Sequence, residues 1–97
     1  MSLYTQKEIQ TILYPIFEAY KVRKAVLFGS YAKGRAEGSS DIDLLVDSGL
    51  KGLAFFGLLE DISSALDREV DLIDLSQIEP DSPIEKEIRE TGRVIYG

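Results

Sequence analysis

The sequence predicts an α/β fold: a single small domain in which helices flank a small mixed sheet. Helix-like and strand-like apolar segments alternate along the chain, which is the pattern of this class. The 97 residues suit one compact domain, and neither a repeat, a linker nor a low-complexity tract divides them. We therefore expect residues 1–97 to form one domain.

The first predicted element is a helix over residues 5–20. Thr5 and Glu8 form a capping-box pattern at its start. Pro15 predicts that the helix kinks or restarts at that point. An apolar stripe at helical spacing is either a core face or a surface for a partner, and the core interpretation is favoured. The stripe comprises Ile9, Ile12, Leu13, Ile16, Phe17 and Tyr20.

The next segments predict two buried strands with a loop between them. Residues 25–28 are a short apolar run bounded by charge and by glycine, and residues 41–47 predict a second strand. Between the two, residues 30–35 predict a short helix that a glycine ends. Glycines near residues 49–52 then predict a turn.

The second half of the chain predicts a helix, a strand, a helix and a last short strand. Residues 53–67 carry an apolar stripe, and residues 69–75 read as a third strand. The Ser82-Pro83 pair predicts the start of a helix that ends near Gly92, and residues 94–96 predict a final strand. The stripe consists of Phe55, Leu59, Ile62 and Leu66, widened by Leu58 and Ala65.

The composition limits the chemistry that is open to the chain. Without cysteine or histidine it has no disulfide, no thiolate site and no histidine base, so any metal must bind oxygen ligands. A net charge of −6 disfavours free-standing nucleic-acid binding and suits a basic protein partner. The lack of cysteine and of any long apolar segment leads us to expect a cytoplasmic protein without a membrane span.

Two carboxylates interrupt the second strand. Asp41 and Asp43 alternate with apolar residues, so both project from one face while the apolar residues anchor the other face. Like charges this close repel unless a cation lies between them. Asp71 has a similar setting in the third strand. If the two strands are neighbours, three carboxylates converge and a divalent metal is the natural counter-ion.

A glycine loop precedes the carboxylates. Gly29 and Ser30 follow a strand directly, and backbone N–H groups at such a helix start bind phosphate. Lys33 and Arg35 are either ligands of the phosphates or ordinary solvated residues, and Tyr31 packs near a base or covers the loop. Phosphate-binding donors beside metal-binding carboxylates predict a site for a nucleoside triphosphate.

Other acidic residues and other motifs are less informative. Asp47, Asp67 and Asp74 read as surface or turn charges, with Asp74 alternatively supporting the site from behind. Neither a P-loop nor a G-x-G-x-x-G motif is present, and the apolar residues after Asp43 exclude an EF-hand loop. An acidic pocket of the receiver type would leave the glycine loop unexplained.

The spacing of these residues carries a resemblance to a known family. Gly29-Ser30, ten residues and then Asp41-Ile-Asp43 is similar to the signature of the polymerase-beta-like nucleotidyltransferase superfamily. The chain most resembles its minimal nucleotidyltransferases, short proteins often paired with HEPN-domain partners in prokaryotic toxin–antitoxin pairs. The resemblance spans nearly the whole chain, from the leading helix through "VLFGSYAKG" and "SSDIDLLV" to "EVDLIDL".

The resemblance implies transfer of a nucleoside monophosphate from a nucleoside triphosphate to a hydroxyl group, with two Mg²⁺ or Mn²⁺ ions. Asp41, Asp43 and Asp71 match the metal-binding carboxylates of the family, and Gly29 and Ser30 match its phosphate-binding pair. One ion would activate the acceptor hydroxyl and the other would stabilise the leaving pyrophosphate. Asp71 is then placed to take the proton. Many relatives have arginine after the Gly-Ser pair, where this chain has tyrosine.

Two functions remain open from the sequence. The first is an enzyme that moves AMP from ATP to a hydroxyl of a partner protein, acting as the antitoxin of a HEPN ribonuclease. The alternative is a non-catalytic antitoxin that masks the HEPN toxin by binding. The full set of carboxylates with the Gly-Ser pair favours the enzyme, since masking alone does not require them.

Overall fold

The part of the chain that the structure describes folds into a four-stranded mixed sheet with helices on both faces. The computed structural model describes residues 4–29, 31–32 and 41–97. The predicted α/β class is confirmed, and each predicted helix and strand within these residues is found within two residues of its predicted bounds. The elements are α1 (Gln6–Ala19), β1 (Lys24–Phe28), β2 (Ile42–Asp47), α2 (Leu53–Leu66), β3 (Val70–Asp74), a 3₁₀ turn (Leu75–Gln77), α3 (Pro83–Thr91) and β4 (Arg93–Tyr96).

The strand order is β3-β2-β1-β4. β1 pairs antiparallel with both β2 and β4, whereas β2 and β3 are parallel, so the sheet is mixed. The parallel pair requires a crossover, which α2 supplies. β2 is therefore an inner strand, and its first residues lie between the end of β1 and the start of β3.

Helix α1 begins with the predicted capping box. The Glu8 N–H group donates to Thr5 Oγ1 over 3.0 Å, and the Thr5 N–H group donates to Glu8 Oε1 over 2.7 Å. The helix runs through Pro15 as one element, so the predicted restart is not observed. Its buried residues face the sheet, as the core interpretation of its stripe predicts. They are Ile9, Leu13 and Phe17.

The main core lies between the sheet and the helix pair α1 and α2. Leu58, Ile62 and Leu66 of α2 are fully buried there, while Ala65, which the predicted stripe included, is exposed. The buried face of α2 is therefore centred nearer Leu58 than the sequence predicted, since Leu58 was expected only at the edge of the apolar stripe. On the opposite face of the sheet, a smaller apolar cluster packs against α3. It comprises Val26, Phe28 and Leu45, with Ile73, Ile78 and Ile88 around it.

Helix α3 has the predicted start and end. The Glu85 N–H group donates to the Ser82 hydroxyl over 3.3 Å, Pro83 occupies the first turn, and Gly92 is the C-cap. Only one side of this short helix meets the sheet, where Ile88 joins the smaller cluster. Its last turn consequently lies beside the end of β1, which is the edge of the candidate site.

Candidate active site

The sheet register brings two of the predicted carboxylates side by side. Asp43 of β2 and Asp71 of β3 are direct partners across the parallel pair, and Phe28 at the end of β1 pairs with Asp43 from the other side. Asp41 lies just before β2 and is exposed. The convergence of carboxylates that the sequence predicts requires β2 and β3 to be neighbours. They are, because the crossover helix α2 places β3 directly beside β2.

The electrostatics of Asp43 show how crowded the acidic groups are. The pKa of Asp43 is raised from 3.8 to about 6, first by burial and then by repulsion from Asp71 and a hydrogen bond with it. Glu87 and Asp41 raise it further through their negative charge. A cation that binds between these carboxylates relieves their repulsion, so the ionised site is stabilised by the cation.

The three predicted ligands do not all meet at one point in the part of the chain that the structure describes. Asp43 and Asp71 interact directly, and Asp41 acts on Asp43 only through its charge. Among the described residues, no group of three or more acidic side chains encloses a position for a metal ion. Metal binding by Asp41, Asp43 and Asp71 therefore stays a prediction. Of the three, Asp43 and Asp71 are the two that the structure brings into contact.

Gly29 lies against the carboxylate of Asp43. Its φ of +74° is in the left-handed region, and a Cβ atom at this position would collide with Asp43 Oδ2. Glycine is thus required both by the backbone conformation and by the close approach. Its own N–H group donates to Thr91 Oγ1 over 3.0 Å, so this donor is directed at α3. Gly29 is itself buried, so any phosphate contact made by this loop would use N–H donors of later residues.

Other predicted phosphate ligands are not covered by the structure. Ser30, Lys33 and Arg35 lie outside the described residues, as does most of the predicted helix over residues 30–35, and their roles stay predictions. Tyr31 is described and is 9% exposed within the main core. Among the described residues its hydroxyl has no hydrogen-bond partner, and the guanidinium of Arg68 lies 5.9 Å from its ring centroid. Tyr31 thus packs into the main core.

Asp74 is buried, so its interpretation as a surface or turn charge was wrong. It is 4% exposed and accepts hydrogen bonds from the N–H and hydroxyl groups of both Ser48 and Ser76, at 2.6–3.1 Å. Burial alone would raise its pKa, but these donors outweigh burial and lower the pKa of Asp74 to about 2. A sequence signal was present, because Asp74 and Gln77 form a second capping box.

The remaining two acidic residues match their interpretation as surface or turn charges. Asp47 forms an ion pair with Arg23 over 2.7 Å at the surface. Asp67 is exposed and caps the end of α2 in a left-handed conformation. Neither touches the Asp43–Asp71 pair, and both are consequently useful positions for control variants.

Two residues of α3 near the site were missed by the sequence reasoning. Glu87 acts on Asp43 by its charge, and Thr91 accepts the Gly29 N–H group. A signal existed in the spacing of Ile84, Ile88 and Thr91, which places one side of the helix toward the sheet. The sequence did not reveal that this side ends at the glycine loop, because that contact depends on how α3 packs against β1.

Comparison with known proteins identifies the family. Residues 8–97 match the family model described as polymerase beta, nucleotidyltransferase. The chain belongs to this family. It is accordingly a nucleotidyltransferase domain, and nucleotidyltransferases of this superfamily generally use divalent metal ions. Within the described residues, no helix combines the length and apolar character needed to cross a membrane.

Individual relatives are similar over most of the chain. Protein adenylyltransferase MntA of Thermococcus cleftensis is 38% identical over 82 residues, covering 75% of this chain and 80% of the relative. A crystal structure of a toxin–antitoxin with AMP-PNP is similar at 28% identity and a TM-score of 0.77, over 91% of this chain and 73% of that one. A second structure contains a tri-AMPylated Shewanella oneidensis HEPN toxin with its MNT antitoxin, at 26% identity and a TM-score of 0.72, over 96% and 73% of the two chains.

Proposed function

We propose that this domain transfers AMP from ATP to a hydroxyl group of a HEPN-domain protein and thereby acts as a cytoplasmic antitoxin. The observation that carries the proposal is the pairing of Asp43 with Asp71 beside Gly29, on a fold of the nucleotidyltransferase family. A masking protein needs neither the crowded carboxylates nor the close backbone approach. Both features are expected of a site that holds a cation against a triphosphate.

The donor set fits a magnesium or manganese site. Asp43 and Asp71, joined by Asp41, would offer only carboxylate oxygens, which these hard cations prefer. The raised pKa of Asp43 supports this assignment, because the unliganded pair carries a repulsion that a divalent ion removes. When bound, two such ions would neutralise the triphosphate and lower the pKa of the acceptor hydroxyl.

The residues of the chain then have separate tasks in the reaction. The loop at Gly29 holds the phosphates, with Ser30, Lys33 and Arg35 proposed as further phosphate ligands. Oxygen of the acceptor hydroxyl forms a bond to the α-phosphorus of ATP while the bond from that phosphorus to pyrophosphate breaks. Asp71 is exposed and is proposed to take the hydroxyl proton, since the chain has no histidine for this role.

The nature of the acceptor is supported by the relatives. Those compared above are named as a protein adenylyltransferase and as an antitoxin complexed with an AMPylated HEPN toxin. A net charge of −6 disfavours a nucleic-acid primer as the acceptor and favours a basic protein surface. A HEPN protein fits both observations, and a tyrosine hydroxyl is the acceptor group that we propose.

The proposal is tested by incubating the domain with ATP, Mg²⁺ and the protein encoded by the neighbouring gene, which we expect to be a HEPN protein, followed by mass analysis of both proteins. We expect AMP on the partner with the wild type and none with Asp43→Asn. Asp67→Asn, which removes the same charge from an exposed helix end, is the matched control and should label the partner normally. Efficient extension of a free RNA or DNA primer without labelling of the partner would contradict the proposal.

The masking alternative gives a distinct result in the same assay. If wild-type protein inhibits the toxin but leaves it unlabelled, and Asp43→Asn inhibits equally well, binding alone accounts for the antitoxin activity. If Asp43→Asn still binds the toxin yet no longer neutralises it, transfer is required.

A further inference from the structure

A side chain in the last turn of α3, Thr91, forms a hydrogen bond with Gly29. Thr91 Oγ1 accepts the N–H group of Gly29 over 3.0 Å and donates its own proton to the Glu87 carbonyl over 2.8 Å. The Thr91 hydroxyl thus donates to a carbonyl of its own helix and accepts from the backbone of Gly29. Because a single hydroxyl makes both bonds, its position is defined from two directions.

The helix end itself is held firmly against the sheet. The Gly92 N–H group donates to the Ile88 carbonyl over 2.7 Å, and a Cβ atom on Gly92 would lie only 2.9 Å from Val26 Cγ1. The chain then continues directly into β4, which pairs with β1. Thr91 is therefore attached to a part of the fold that cannot shift without disturbing β1.

Gly29 is confined between this helix end and the acidic pair. It lies so close to the Asp43 carboxylate that a Cβ atom would collide with Oδ2, while its N–H group points to Thr91. Rotation of the Gly29 peptide would break the hydrogen bond to Thr91 and would change the separation between the loop and Asp43. The bond from Thr91 consequently fixes the orientation of the Gly29 peptide relative to the Asp43 carboxylate.

We infer that Thr91 is a positioning residue for nucleotide binding: its hydroxyl sets the orientation of the Gly29 peptide and so the alignment of the triphosphate with the Asp43–Asp71 pair. This inference rests on the proposed function, because it assigns the loop to the triphosphate. Thr91 acts through Gly29 and does not itself contact the nucleotide. The role belongs to the hydroxyl and not to the methyl group.

Three variants separate the hydroxyl from the bulk of the side chain. Thr91→Val keeps the shape and loses both hydrogen bonds, whereas Thr91→Ser keeps the hydroxyl and loses the methyl group. Thr11→Val is the matched control, since Thr11 is exposed on α1 and forms no side-chain hydrogen bond among the described residues. Each protein is assayed for binding of ATP with Mg²⁺, for KM and kcat in partner labelling, and for exchange of the Gly29 amide proton by NMR.

We expect Thr91→Val to exchange the Gly29 amide faster and to lose roughly 10- to 100-fold in kcat/KM for ATP, as small misalignments at reacting groups do. Thr91→Ser and Thr11→Val should stay within about threefold of the wild type, and Mn²⁺ binding without nucleotide should be unchanged in all three. Equal losses in Thr91→Val and Thr91→Ser, or no loss in either, would overturn the positioning role. If the wild type itself binds no ATP, the proposed function fails together with this inference, whereas an active wild type with an unaffected Thr91→Val refutes the inference alone.

Discussion

Replacing Asp43 by asparagine should make the metal-free domain more stable while it destroys the site. The neutral amide resembles the protonated carboxyl group, and its N–H₂ group can donate to Asp71 as the protonated acid does. The variant therefore keeps the contact between β2 and β3 and removes the repulsion that raises the pKa of Asp43. A gain in stability from loss of a charged residue would be diagnostic of an acidic site that lacks its cation.

The magnitude follows from the pKa of Asp43, which changes from 3.8 to about 6 on folding. At about 1.4 kcal/mol for each pH unit, the upper limit is about 3 kcal/mol. Because the side chain is only partly buried, solvent screening reduces this to about 1–2 kcal/mol. For a domain of this size, that corresponds to an increase in Tm of about 5–10 °C.

The sign of the pH dependence is fixed by the raised pKa. The folded state holds the Asp43 proton more tightly than the unfolded state, so this stabilisation is complete below about pH 3.8 and is lost as the pH rises through about 6. The difference in unfolding free energy between Asp43→Asn and the wild type should therefore be near zero at pH 4 and largest above pH 7. Taking the difference removes the contributions of groups that titrate identically in both proteins.

The assay is denaturant unfolding at pH values from 4 to 8 in the presence of a chelator. Asp67→Asn serves as the control, with an expected change within about 0.5 kcal/mol at every pH. Replacement of the chelator by Mn²⁺ at pH 8 should stabilise the wild type and not Asp43→Asn, since a ligand stabilises only the state that binds it. A variant that is less stable than the wild type at pH 8, or a difference that does not vary with pH, would refute the reasoning.

Three further perturbations test other parts of the account. Gly29→Ala should weaken ATP and GTP binding by similar factors, because the new Cβ atom collides with Asp43 Oδ2 at a positive φ; a loss confined to one nucleotide, by titration, would place the loop at the base. Asp74→Ala should lower the free energy of unfolding by roughly 3 kcal/mol in denaturant titrations, because the Ser48 and Ser76 donors lose a charged acceptor, and an unchanged stability would contradict the structural role assigned to this buried carboxylate. The affinity for the HEPN partner should fall with salt, and a salt-independent dissociation constant would exclude charge as the basis of docking.

The sequence was sufficient for the elements whose signals are local. The capping box at Thr5 and Glu8, the Ser82-Pro83 start of α3 and the alternation of carboxylates with apolar residues in β2 each depend on neighbours within a few positions. Local chemistry determines such features, and the structure accordingly agrees with them. Of the two outcomes expected at Pro15, a kink or a restart, the restart was wrong, because tertiary packing of the buried face keeps α1 as one helix.

The parts that escaped the sequence depend on contacts between distant segments. From the sequence, Asp74 has the pattern of a turn charge. Its hydrogen-bond donor Ser48 lies 26 positions earlier in the chain and reaches it only because β2 pairs with β3. Thr91 similarly gains a role only because α3 packs next to the end of β1, 62 positions from Gly29. The spacing of the carboxylates was visible in the sequence, but their pairing required the register of β2 with β3.

The most direct test of the central claim is a calorimetric titration of Mn²⁺ into the wild type, Asp43→Asn, Asp71→Asn and the control Asp67→Asn at pH 7.5. If the Asp43–Asp71 pair is the core of the metal site, the wild type and Asp67→Asn should bind Mn²⁺ with the same affinity. Each variant of the pair should bind at least about tenfold more weakly, since loss of one carboxylate ligand removes more than 1.4 kcal/mol of binding free energy. Equal affinity in all four proteins would show that the metal binds elsewhere, and the assignment of this site would then be wrong.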